Sequence, residues 1–80
     1  MSNQEIPRIG QRYKHYKGGE YQIISVSRFE PKPEEILVTY FPLYFSDENA
    51  EVRDWTRTIQ NFLEEVEIDG KKVKRFELIR

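Results

Sequence analysis

The chain of 80 residues carries 13 basic and 14 acidic side chains, one histidine and no cysteine, for a formal net charge of −1. This length admits one domain with a small core, and the lack of thiols removes disulfides, cysteine nucleophiles and, with a single imidazole, zinc sites. A balanced chain is also a poor match to nucleic-acid binding that depends on many phosphate contacts.

Eleven aromatic rings are therefore what the core must be built from. Residues 1–9 are polar, include Pro7 and show no period, so they read as a loose arm before a single domain over 10–80. The first five residues, Met-Ser-Asn-Gln-Glu, lack the basic and apolar regions of a secretion signal, and the expected compartment is the cytoplasm. The longest apolar run, residues 41–45, is far short of the roughly 18–20 residues that span a bilayer, so no membrane partner is expected.

Residues 12–16 alternate and then meet Lys17-Gly18-Gly19-Glu20, where two glycines permit the positive φ of a tight hairpin. The partner strand resumes over 21–29 with Tyr21, Ile23, Ile24, Val26 and Phe29. Two prolines in Glu30-Pro31-Lys32-Pro33-Glu34-Glu35 remove ladder donors, so that whole segment reads as a turn. Residues 36–41 are β-branched and aromatic, with Pro42 ending or bending the strand. A polar loop over 46–51 leads to a fourth strand over 52–57 containing Trp55. Thr58 caps a helical turn through Leu63, with Ile59, Phe62 and Leu63 inward. Asp69-Gly70 is the residue pair of a type I′ hairpin, and the last strand runs over 73–79. The fold class that results is all-β: a small SH3-like curved sheet or partly open barrel of five or six strands, with one short helical turn near residue 60.

Charge is segregated along the chain. Arg8, Arg12, Lys14 and Lys17 come with no acid among them, whereas Glu30, Glu34, Glu35, Asp47, Glu48 and Glu51 dominate the middle. The bland account is a set of solvated faces; the alternative is a bipolar surface with an anionic ligand at the basic end. The acidic loop Asp47-Glu48-Asn49-Ala50-Glu51 lacks the glycine and ligand order of an EF-hand, so no metal and no cofactor are expected. His15 is the sole imidazole available to Ser25, Ser27 or Ser46, and Lys17-Gly18-Gly19-Glu20 is not a phosphate-binding loop; an enzyme is not expected.

On an alternating strand His15 shares a face with Tyr13, opposite Arg12, Lys14 and Tyr16. That predicts a half-buried Tyr13 and His15, the imidazole bonded to a core carboxylate or carbonyl, and makes Tyr16 and Lys17 the better contacts for a ligand. Trp55 reads first as a core residue, with the rim of a groove as its second role, and Arg57 on the same face offers a fork for a carboxylate or phosphate. The candidate binding residues are Tyr13, His15, Tyr16, Lys17, Tyr44, Trp55 and Arg57, and the expected partner is a protein, a peptide or a small anion. Two rivals stand beside this binding module: a homodimer paired through an exposed strand edge over 36–45, and single-stranded nucleic acid stacked on Tyr13, Tyr16 and Tyr21.

At Tyr13-Lys14-His15-Tyr16-Lys17-Gly18 and Tyr21 the chain resembles a small bacterial family known as domain of unknown function 1653. Val38, Tyr40, Leu43-Tyr44, Trp55, Arg57, Phe62, Glu64, Val66, Asp69-Gly70, Val73 and Arg75-Phe76 continue the likeness, which covers residues 10–79. Phe29, Thr58 and Asn61 depart from a pattern that commonly has histidine, proline and methionine there, so a two-histidine site is absent. The resemblance implies a compact, mainly β domain without an assigned activity.

Overall fold

A computed structural model describes residues 6–43 and 54–80. Its strands are β1 (Arg12–His15), β2 (Glu20–Phe29), β3 (Lys32–Pro42), β4 (Trp55–Thr58), β5 (Glu65–Ile68), β6 (Lys71–Lys74) and β7 (Phe76–Ile79), with one helix, α1 (Ile59–Leu63). Five strands form an antiparallel sheet in the order β4-β3-β2-β1-β7, and β5 and β6 pair as a separate hairpin. The sheet curls into a half-barrel, which is the curved, partly open architecture the strand pattern implies.

Register explains which side chains meet. Tyr13 faces Tyr21 on one neighbour and Leu78 on the other, His15 faces Phe76, Ile23 faces Tyr40, and Val38 faces both Val26 and Arg57. These residues share the inner surface because paired positions point to one side. A bulge at Ile24 resets the phase of β2, so that Tyr21 and Ile23 before it and Val26 after it all point inward while Ile24 is left exposed. Adjacent Ile23 and Ile24, awkward for a simple alternation, are thereby accounted for.

Tyr13, Ile23, Val38, Tyr40, Phe62 and Phe76 make the core, with Tyr21, Val26, Ile59, Leu63 and Leu78 packed around it. The helix lies against β3 and β4. Five residues cannot hold a helix by themselves. The Thr58 side chain accepts the Asn61 N–H at 3.2 Å, and Phe62 is inserted, fully buried, between the rings of the sheet.

Four expectations need correction. The Pro-Lys-Pro segment is not all turn, since only Glu30 and Pro31 turn and β3 begins at Lys32. Pro33 is tolerated because it lies in the register shift between the Arg28↔Ile36 and Phe29↔Lys32 pairs and beyond the reach of β4, where no ladder donor is required. The last strand is two, broken at Arg75, whose N–H donates to the Glu64 carbonyl while its own carbonyl accepts the Tyr16 N–H. The segment expected as a free edge is internal: Leu37, Val38, Thr39 and Tyr40 pair with β2 on one side and β4 on the other. Finally, Pro7 at the end of the supposed arm is fully buried, and Arg8 and Gln11 are joined by reciprocal hydrogen bonds. The acidic loop over 47–51 and residues 52 and 53 of the expected fourth strand lie outside the described residues.

Candidate functional site

The inner surface is not covered evenly. Phe62 stacks on Phe76 with centroids 4.2 Å apart and planes 5° from parallel, and meets the edges of Tyr13 and Tyr40 at 5.0 and 5.5 Å. Beside Phe76, the side chains of His15, Tyr21, Tyr40, Trp55 and Arg57 surround a hollow of about 150 Å³. Its walls are held by ring contacts: His15 lies edge-on to Phe76 at 4.9 Å, and Tyr21 edge-on to Tyr40 at 5.2 Å.

Arg57 enters from β4, the sheet's edge strand. Its Nε–H donates to the Tyr40 hydroxyl at 2.8 Å, one Nη1–H donates to the Asn61 side-chain oxygen, and the guanidinium sits 5.7 Å from the centre of the Phe76 ring. All three anchors are neutral. Among the described residues no carboxylate pairs with Arg57, so its orientation is fixed while its charge is left uncompensated. Arg75 is the contrast, ion-paired to Glu64 at 2.7 Å with its Nε buried and unpartnered.

His15 is the hub. Its Nδ1 accepts the Lys17 backbone N–H at 3.1 Å, which leaves the proton of the neutral ring on Nε2. Burial, then the positive charges of Arg57, Lys17 and Arg75, hold its pKa below the ordinary histidine value, so the ring is neutral near pH 7. Burial raises the Tyr40 pKa, against the opposing pull of the Arg57 hydrogen bond, and the phenol stays protonated. The imidazole also lines two wider grooves of about 650 and 600 Å³ on either side of the β1–β2 turn, the first with Lys17 and Glu20, the second with Tyr16, Lys72 and Glu77. Both grooves carry carboxylates. Among the described residues the small hollow carries none.

The seven expected residues divide accordingly. His15, Trp55 and Arg57 line one hollow, while Lys17 and Tyr16 line the two grooves that share His15 with it. Tyr13 is not a ligand contact; it is 4% exposed beneath Phe62, which also removes it from any stacking trio with Tyr16 and Tyr21. Trp55 is no core residue, being 59% exposed on β4, which has no strand on its far side among the described residues. The imidazole is bonded to a backbone N–H rather than to a core carboxylate or carbonyl. Tyr44 lies outside the described residues. Reading the sequence left Tyr21 to the nucleic-acid rival alone and missed Tyr40, Phe76 and Asn61 as parts of the site. The first three carry alternation signals identical to those of core residues, and Asn61 stands four after Arg57, a spacing that matters only once the helix follows the strand directly.

Among the described residues, no group of three His, Asp or Glu side chains is placed to hold a metal ion. Among these residues no helix is long and apolar enough to cross a membrane.

A family model described as a protein of unknown function, DUF1653, matches residues 11–78. A crystal structure of a DUF1653 protein from Bordetella bronchiseptica superposes with a TM-score of 0.73 at 29% identity, over 90% of this chain and 86% of that one. Among curated proteins none matches.

Proposed function

Since the chain belongs to the DUF1653 family, whose description assigns no activity, we propose its role from the hollow itself: a small, non-catalytic binding module for a ligand or peptide. One observation carries this reading. Trp55 and Arg57 from β4 meet His15 from β1 at a concave, solvent-reached opening, although the two strands are separated by β2 and β3 in the sheet. Tryptophan and arginine are among the residue types most often found carrying binding energy. Among the described residues no paired general base supports a catalytic role, because the acceptor nitrogen of His15 is taken by the Lys17 backbone N–H and no carboxylate orients the ring.

A chemical-shift perturbation screen against peptides, nucleotides and short RNA tests the module. Shifts concentrated at His15, Tyr21, Trp55 and Arg57 are expected; shifts confined to the β2–β3 turn at Glu30 and Pro31, on the opposite end of the sheet, would defeat it.

A further inference from the structure

We propose that the small hollow is a carboxylate site, taking an acid that bears a flat apolar ring as well as its carboxyl group; this rests on the binding-module reading and narrows it to a ligand class. A guanidinium has five N–H donors, and in Arg57 two are used, on Tyr40 and Asn61. Nη2 has no partner among the described residues and is not buried, so its donors reach solvent in the plane that the two anchors fix. Two parallel donors in one plane match the two oxygens of a carboxylate. The Nε2–H of neutral His15 is a third donor on the same wall.

Size and lining decide what else the ligand carries. A cavity of about 150 Å³ holds roughly one benzene ring. Tyr21, Tyr40, Trp55 and Phe76 supply ring faces and edges, which complement a planar apolar group better than a branched or charged one. A phosphate dianion is a poorer fit, because one guanidinium and one neutral imidazole leave part of its charge and its third oxygen unserved. In the wider grooves carboxylates stand beside the cations, Glu20 with Lys17 in one and Glu65 and Glu77 with Lys14, Lys72 and Lys74 in the other, and neither groove holds a guanidinium.

Such a ligand comes from two sources, a free aromatic acid or the C-terminal residue of a chain ending in an aromatic side chain. Benzoate and N-acetylphenylalanine represent them; benzamide, acetate and inorganic phosphate are the comparisons. Trp55 is the chain's single tryptophan, so intrinsic fluorescence reads the hollow directly, and backbone amide shifts confirm the location. The expected result is saturable binding of one or both aromatic acids with Kd on the order of a millimolar for a ligand of about ten heavy atoms. Whichever binds tighter identifies the source. Arg57→Gln should weaken binding about tenfold or more, and Arg57→Lys, which keeps the charge and loses the fork, should still weaken it severalfold. Trp55→Ala, at an exposed position that does not threaten folding, should weaken it severalfold by amide shifts, which keeps the test decisive if Arg57→Gln fails to fold.

Benzamide binding as well as benzoate, phosphate binding as tightly, or unchanged affinity in folded Arg57→Gln would each overturn the carboxylate assignment. So would the lack of any saturable response to both acids at tens of millimolar. A ligand without a carboxylate that moves the His15, Tyr21 and Trp55 amides would overturn it while leaving the binding module in place; a broad screen that moves none of them would remove both.

Discussion

Replacing Phe62 with alanine should come close to unfolding the domain. Phe62 is fully buried, stacks on Phe76 and touches the edges of Tyr13 and Tyr40, so its removal opens a cavity at the centre of the packed rings. Truncating a buried phenylalanine costs about 3–5 kcal/mol. The upper half of that range applies, because the same side chain is the only buried residue of α1 and a five-residue helix has no stability of its own to fall back on. A domain of 80 residues has a total of about 4–12 kcal/mol to lose. Urea denaturation followed by circular dichroism is the assay. With a slope of about 1 kcal/mol per molar, the midpoint of Phe62→Ala should fall by ~4 M, or the protein should be unfolded without urea. Ile9→Ala, at a residue 70% exposed, is the matched control and should change stability by no more than about 0.5 kcal/mol. If the two variants agree within about 1 kcal/mol, the ring stack is not what holds the half-barrel closed.

Tyr40→Phe removes the hydroxyl that accepts the Arg57 Nε–H inside the core; a loss of about 1 kcal/mol is expected, and a gain in thermal stability would show that the bond does not orient the arginine. The folded His15 pKa lies below its unfolded value, so the unfolded chain binds the proton first as pH falls; the full contribution is present above about pH 6.5 and is lost as pH drops through the folded value. An NMR titration should therefore give a His15 midpoint below 6.5, and His15→Gln should flatten the stability profile in that window. Gly18 and Gly70 both face open space, with φ of +110° and +79°, so alanine at either is penalised by backbone alone. Gly70 is near the left-handed helical region and should lose about 1 kcal/mol, whereas Gly18 lies well outside it and should lose about 2–3, a difference read as separated melting temperatures.

Much of the fold is written locally. The hairpin at Gly18, the Asp69-Gly70 turn and the Thr58 cap are each fixed by a few adjacent residues whose backbone or side-chain chemistry allows little else, and each stands where local reasoning puts it. The prolines at 31 and 33 mislead for the opposite reason. Whether a missing N–H matters depends on whether a neighbouring strand asks for it, and at Pro33 the register shift means that none does. The break at Arg75 is equally non-local, since both of its backbone bonds are to residues distant in the chain.

The site divides along the same line. His15, Trp55 and Arg57 are identifiable as unusual residues at alternating positions, and that is a property of the sequence. That they line one hollow, that Tyr13 lies beneath a ring rather than in a groove, and that Arg57 is anchored by neutral groups are consequences of sheet order and curvature. Composition determined a cysteine-free, aromatic-cored domain, and local pattern its mainly β class, because period and turn chemistry act over a handful of residues. Exposure of Trp55 and isolation of the Arg57 charge were decided only by the tertiary structure, because burial and ion pairing depend on which strands end at an edge and how far the helix reaches across the sheet.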